Sequence, residues 1–156
     1  MLLSKAWISY YNDKLIEGYS TTTLKAYKIQ ATLLIKHFGD IDIAQISTDA
    51  LKEYLVIVGE KLKPASLAHR VRFIKSLFRW AHEEGEIHSN PSSKLKEPKA
   101  GTRIPKFLTV KEIELLREAC NTLREHAIIE FMYSSGCRIG EIVLIIKIIL
   151  IGRITL

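Results

Sequence analysis

Apolar residues recur at helical spacing through most of the first 85 residues. Residues 21–38 give the clearest case, with apolar positions at steps of three and four: Leu24, Tyr27, Ala31, Leu34, Ile35 and Phe38. Similar spacing predicts further helices over residues 3–17, 48–58 and 64–84. The pattern therefore predicts a bundle of four helices.

Residues that begin and end helices stand at the boundaries of these segments. Ser20 is a suitable N-cap for the second helix, and Ser47 or Thr48 for the third. Pro64 stands in a first turn, where proline is tolerated, and Gly85 is a typical helix stop. These signals delimit a helical domain over residues 1–87.

Residues 88–106 (HSNPSSKLKEPKAGTRIPK) carry three prolines and no apolar periodicity, which predicts a linker. Five of these 19 residues are basic and only Glu97 is acidic. The basic residues are Lys94, Lys96, Lys99, Arg103 and Lys106. Two interpretations stay open, namely a segment that contacts a polyanion and a solvated tether.

A second helical region follows over residues 107–156. Thr109 and Glu112 have the spacing of a capping box, which predicts a helix over 109–121. Another helix is expected over 124–135, then a Ser-Ser-Gly turn and a third helix from about Cys137. The fold class expected is all-α.

Charge and composition narrow the function classes. The net charge is +6 with a pI near 9.3, which suits a polyanion partner without requiring one. Two distant cysteines and five scattered histidines form no ligand pattern, so no metal site or cofactor is expected. The first residues do not form a signal peptide, and a cytoplasmic location with reduced thiols is expected.

The fourth predicted helix carries basic residues along one side. A helical wheel groups Arg72, Lys75, Arg79 and His82, opposite an apolar face. Such a stripe could contact successive DNA phosphates, or it could only solvate the open face of the helix. Lys25 and Lys28 of the second helix would extend the stripe if the two helices are neighbours.

The segment around Arg138 suits phosphate chemistry. Arg138 follows the Ser-Ser-Gly turn at the start of a helix, where free amide groups already favour anions. Its guanidinium would add two donors for phosphate oxygens, and Glu141 lies on the same face to hold it. By itself, the pair is more typical of a surface Arg–Glu contact.

Four segments resemble tyrosine recombinases, the family of phage integrases and Xer-like recombinases. FMYSSGCRIGEI resembles the motif of the first catalytic arginine, and PKFLTVKEIELL resembles the opening of the catalytic domain. YSTTTLKAYKIQATLLIKHFGDIDIAQIS and KPASLAHRVRFIKSLFRWAHEEGEIHSNP resemble parts of the SAM-like core-binding domain. The resemblance covers residues 5–143 in order.

The resemblance implies a SAM-like bundle followed by a truncated, mainly helical start of a catalytic domain, together clamping double-stranded DNA. The family cleaves DNA through a tyrosine nucleophile and needs no metal or nucleotide cofactor. Arg138 corresponds to the first arginine on the scissile phosphate, and Glu141 to its acidic companion. Other recombinase protomers are further expected partners. The DNA-binding residues expected are Lys25, Lys28, Arg72, Lys75, Arg79, Lys99, Arg103 and Lys106.

From residue 142 the chain departs from the family pattern and reads IVLIIKIILIGRITL. No second catalytic arginine, histidine or tyrosine follows. Three interpretations of this tail stay open: a frameshifted remnant, a truncated natural product, or a functional apolar segment. It is too short for a membrane helix, so no membrane partner is expected.

The expected function is DNA binding by a truncated recombinase that is inactive alone. The alternative is a non-catalytic module that sequesters intact integrase protomers.

Overall fold

A computed structural model describes residues 1–99 and 106–152, with side chains described as far as residue 146. The chain divides into two compact units, residues 1–102 and 103–156. Arg103, one of the expected DNA-binding residues, lies outside the described residues.

Seven α-helices make up the described part of the chain. The first unit contains α1 (Leu3–Ile16), α2 (Thr21–Phe38), α3 (Thr48–Gly59) and α4 (Pro64–Glu83), with a 3-10 turn at Ile43–Gln45. The second unit contains α5 (Val110–Glu118), α6 (Leu123–Ser135) and α7 (Ile139–Gly152). Within the described ranges no strand forms, and the all-α prediction is confirmed. None of these helices is long and apolar enough to cross a membrane.

The helix boundaries follow from local capping. The Ser20 hydroxyl accepts a hydrogen bond from the Thr23 amide at 3.2 Å, which confirms Ser20 as the N-cap of α2. Of the two candidates before α3, Ser47 is the cap, because its hydroxyl accepts from the Ala50 amide at 3.2 Å. Beyond the end of α4, Gly85 adopts a φ of +75°, a conformation that favours glycine.

Helix α4 forms the centre of the first unit. Phe73, Ile74, Leu77 and Phe78 are completely buried against α1, α2 and α3. Polar groups at the edge of this core are paired, as in the 2.6 Å hydrogen bond from the Trp80 indole to a carboxylate of α1. The core thus fixes the position of α4, including its basic side chains.

The N-terminus of α1 is capped by another part of the chain. Leu2, its N-cap residue, offers no side-chain hydrogen bond. Instead, the Asp40 carboxylate accepts from the Ser4 amide at 2.8 Å and from the Ser4 hydroxyl at 2.7 Å. The Leu3 amide donates to the Ile41 carbonyl at 2.9 Å. These bonds satisfy amide groups that a helix leaves free at its start.

Part of the predicted linker packs on the first unit. Ser92 is completely buried, and Leu95, which is 6% exposed, belongs to the same hydrophobic core as α4. The Thr48 hydroxyl donates to the Pro91 carbonyl at 2.8 Å. Residues 92–97, here called the covering segment, therefore pack on the first unit, and the linker bounds of 88–106 stay a prediction. Because Leu95 has no periodic apolar neighbours in the sequence, the sequence pattern did not predict this packing.

The helices of the second unit are stabilised by N-terminal caps and by one cluster of ion pairs. Thr109 and Thr122 both form complete capping boxes, of which the first was predicted. Arg117 of α5 bonds Glu130 of α6 through Nε at 2.5 Å and Nη2 at 3.0 Å. Among the described side chains of this unit, only Ile142 is buried. Apolar side chains such as Leu116 and Phe131 are accordingly exposed.

Replacing Leu95 by alanine tests whether the covering segment belongs to the core. We expect Leu95→Ala to lower the free energy of unfolding by about 2 kcal/mol or more, because it leaves a cavity in packed apolar surroundings. Leu15→Ala, at a residue 51% exposed, should change it by less than about 0.5 kcal/mol. Both tryptophans lie in the first unit, so urea unfolding followed by tryptophan fluorescence measures this unit. Equal effects of the two substitutions would contradict the packing.

Asp40 makes the stability of the first unit depend on pH. Hydrogen bonds from the Ser4 amide and hydroxyl lower the pKa of the Asp40 carboxyl. Because the pKa in the folded state lies below that in the unfolded state, the stabilisation is present above the unfolded pKa. It is lost as the pH falls through the folded pKa. We expect Asp40→Ala to be less stable than the wild type at pH 7, with a smaller difference at pH 3, as measured by urea unfolding. A difference that is independent of pH would contradict this role.

Candidate nucleic-acid interface

The basic stripe of α4 is partly covered. Arg72 Nε donates to Glu97 Oε2 at 2.9 Å, and Arg72 Nη2 forms an ion pair with the same oxygen at 2.7 Å. Lys75 Nζ donates to the Leu95 carbonyl at 3.3 Å. Arg79 remains exposed, with no hydrogen bond or ion pair to any other described residue. The sequence placed these cations on one side of the helix but did not show the covering segment over part of them.

The pair of Arg72 and Glu97 keeps both groups charged. The hydrogen bond from Arg72 is the largest cause that lowers the pKa of Glu97, and the charges of Lys75 and His69 lower it further. The pKa of Arg72 is raised by the same bond. At neutral pH the carboxylate therefore offsets part of the positive charge of the stripe.

Helices α2 and α4 are neighbours, an arrangement that the sequence analysis did not decide. The Tyr27 and Phe73 rings lie 5.4 Å apart, and α2 and α4 share a partly buried hydrogen bond. Lys25 and Lys28 are exposed on α2, but Lys28 borders a groove formed with Trp7 of α1. The basic residues of α2 thus have different neighbours from those of α4.

Arg70 is a basic residue that the sequence analysis missed. Its Nε donates to Gln30 Oε1 at 3.0 Å, and its guanidinium lies 5.8 Å from the centre of the Tyr54 ring. The helical wheel places Arg70 away from the other cations, on the side that faces α2. Only the tertiary packing of α2 and α4 brings it to a shared surface with Gln30.

The basic residues that follow the covering segment are exposed where they are described. Lys99 and Lys106 both present their side chains to solvent. Neither has a hydrogen bond or ion pair to another described residue. Both are therefore accessible to an anionic partner.

The Arg138 turn is built by local geometry. Helix α6 ends at Gly136, which adopts the left-handed conformation with a φ of +66°. Arg138 stands directly before α7, and its carbonyl accepts from the amides of Glu141 and Ile142 at 2.9 and 3.2 Å. Glu141 and Arg138 are thereby brought to the same helix turn.

Glu141 contacts Arg138 in two ways. One carboxylate oxygen accepts from the Arg138 backbone amide at 2.7 Å, and the other lies 3.4 Å from the guanidinium Nη1. The Arg138 side chain is 87% exposed, so its remaining donors face solvent. The backbone bond holds the carboxylate firmly, and the weaker side-chain contact leaves the guanidinium free to bind an oxyanion.

The two cysteines and the histidines are not assembled into a metal site. Among the residues that the structure describes, no group of three or more histidine, cysteine, aspartate or glutamate side chains could hold a metal ion. Cys120 and Cys137 are both free thiols.

Comparisons with known proteins identify relatives of this chain. Tyrosine recombinase XerC of Xanthomonas campestris pv. campestris (strain B100) is 31% identical over 131 residues, which cover 79% of this chain and 41% of that protein. Tyrosine recombinase XerD of Haemophilus influenzae is 28% identical over 152 residues, which cover 92% of this chain and 48% of that protein. The chain thus spans less than half the length of these relatives.

A solved structure shares the fold. The crystal structure of a lambda integrase dimer bound to a COC′ core site matches with a TM-score of 0.75 at 22% identity, over 90% of this chain and 40% of that one. Residues 8–85 match the family described as the N-terminal SAM-like domain of phage integrases. That match spans α1 to α4, the helices that carry the basic side chains described above. The chain therefore belongs to the phage integrase family of tyrosine recombinases.

Proposed function

We propose that this chain binds duplex DNA through exposed basic side chains of its first unit, as part of a recombination protein. The observation that carries the proposal is the exposure of Arg79, Lys25 and Lys28 on a domain of the integrase fold. The lambda integrase of the same fold is bound to DNA. Cations on a rigid helical scaffold can contact successive phosphates and release counterions.

Two basic surfaces would contribute to this binding. On α4, Arg79 offers an exposed guanidinium, whereas Arg72 and Lys75 are engaged by the covering segment. On α2, Lys25 and Lys28 are exposed one turn apart. Lys99 and Lys106 would add contacts along the segment that follows the first unit. Contacts to phosphates fix orientation on the duplex without reading its sequence.

In the second unit, Arg138 would bind a phosphate at the cleavage position and Glu141 would hold it in place. The support is the hydrogen bond that the Arg138 backbone amide donates to Glu141, which leaves an exposed guanidinium at a helix N-terminus. A guanidinium there can stabilise charge that develops on a phosphate during transfer. Cleavage also requires a nucleophile, and all six tyrosines of this sequence precede Arg138. We therefore propose DNA binding without strand cleavage for this chain alone.

DNA binding should weaken with salt in a way that reports phosphate contacts. We expect the logarithm of the affinity of the full chain for a mixed-sequence duplex to fall linearly with log salt between about 50 and 200 mM. Arg79→Gln should weaken binding and reduce the slope by about 0.9, because one phosphate contact is lost. Fluorescence anisotropy measures both quantities.

Lys36→Gln is the matched control, because it removes the same charge from an exposed residue in the last turn of α2. It should leave the salt slope nearly unchanged. Equal effects of Arg79→Gln and Lys36→Gln would show that only net charge matters. Absence of any salt-dependent binding by the wild type would reject the proposed function.

The full chain should form no covalent adduct with DNA. A nicked suicide substrate traps a phosphotyrosyl product if strand cleavage occurs, and denaturing gel electrophoresis detects it. We expect no adduct from this chain, while an intact integrase on its own site serves as the positive control. An adduct mapped by mass spectrometry to any of the six tyrosines would contradict this proposal.

A further inference from the structure

We infer that the covering segment is an intramolecular competitor for DNA, in which the Glu97 carboxylate occupies the phosphate-binding position of Arg72. The inference rests on the proposed function and concerns the regulation of the same surface. It predicts that the chain exists in a masked state, as seen here, and in an unmasked state in which Arg72 contacts DNA.

The geometry of the pair is that of an arginine already bound to an oxyanion. Arg72 Nε donates a hydrogen bond to Glu97 Oε2 at 2.9 Å, and Nη2 lies 2.7 Å from the same oxygen as an ion pair. A phosphate oxygen would use the same two donors, because carboxylate and phosphate both accept paired hydrogen bonds from a guanidinium. The two anions therefore cannot occupy this edge of Arg72 together.

Two contacts hold Glu97 in this position. The Leu95 side chain is buried in the core of the first unit, and its carbonyl accepts from Lys75 at 3.3 Å. Glu97 follows this anchor by two residues, so its carboxylate stays close to Arg72 at a high effective concentration. The same contact engages Lys75, so the covering segment affects two of the three Lys and Arg residues of the stripe.

The ion pair between Arg72 and Glu97 is exposed enough for a DNA phosphate to replace the carboxylate. The Arg72 and Glu97 side chains are 56% and 40% exposed. Ion pairs at such positions are weak, because solvent and salt screen them. A duplex that approaches with several phosphates can displace one carboxylate, and the anchor at Leu95 does not have to open.

Substitution of Glu97 tests the inference in the full chain. We expect Glu97→Gln to increase the affinity for a mixed-sequence duplex by about two- to fivefold, the worth of a surface ion pair. It should also steepen the salt dependence by about 0.9, because Arg72 gains a phosphate contact. Glu53→Gln is the matched control, since it removes the same charge from an exposed residue of α3.

A double substitution separates masking from a general charge effect. In the wild type, Arg72→Gln should change the affinity little, because a phosphate contact of Arg72 forms only at the expense of its ion pair with Glu97. In the Glu97→Gln background, the same substitution should cancel the gain in affinity. This non-additivity is the result that masking requires.

Two outcomes would overturn the inference while leaving the proposed function in place. A loss of affinity in Glu97→Gln would mean that Glu97 orients Arg72 towards DNA. Equal gains in Glu97→Gln and Glu53→Gln would mean that only net charge changed. Failure of the wild type to bind DNA would instead reject the proposed function itself, so the two failures are distinguishable.

Discussion

The burial of Phe73, Ile74, Leu77 and Phe78 is the interaction on which the rest of the first unit depends. Each of these side chains contributes about 1.5–3 kcal/mol by leaving water, and all four belong to α4. Helices α1, α2 and α3 each bury apolar residues against it. Since α4 cannot rotate without exposing this face, the directions of its basic side chains are fixed by the core.

Because of this constraint, α4 can stabilise the core of the first unit and also present a basic side chain to solvent. An apolar arc faces three other helices, and Arg79 is left on the side that remains open. The cations therefore lie on a rigid scaffold, and little conformational entropy of the backbone would be lost when a duplex binds. The covering segment lies on the same open side, so the Glu97 carboxylate takes a position that a DNA phosphate would occupy.

Local features were predictable from the sequence, because their causes are local. Ser20, Gly85 and the box formed by Thr109 and Glu112 act within a few residues of themselves, and all three behave as the pattern predicts. Arg138 and Glu141 are three residues apart on one turn, so their contact could also be expected. Their role in binding a phosphate stays a prediction, because the exposure of the Arg138 guanidinium does not show that it binds one.

Contacts between distant residues were not predictable in the same way. Leu95 has no periodic partner in the sequence, yet it is buried among residues of α4. The bond between Arg72 and Glu97 joins residues 25 positions apart, and that between Arg70 and Gln30 joins residues 40 apart. Such pairs depend on how helices pack. The segment over 88–106 was therefore interpreted by composition alone, which did not predict that the covering segment packs on the first unit.

The capping of α1 by Asp40 has a consequence for synthesis of the protein. Helix α1 is synthesised before the residues that cap it, and an isolated helix of 14 residues is marginal in water. Its free amides find their acceptors only when residues 40 and 41 have also emerged. Complete capping of α1 thus requires residues that follow α2, so α1 is expected to become stable only after α2 has been synthesised.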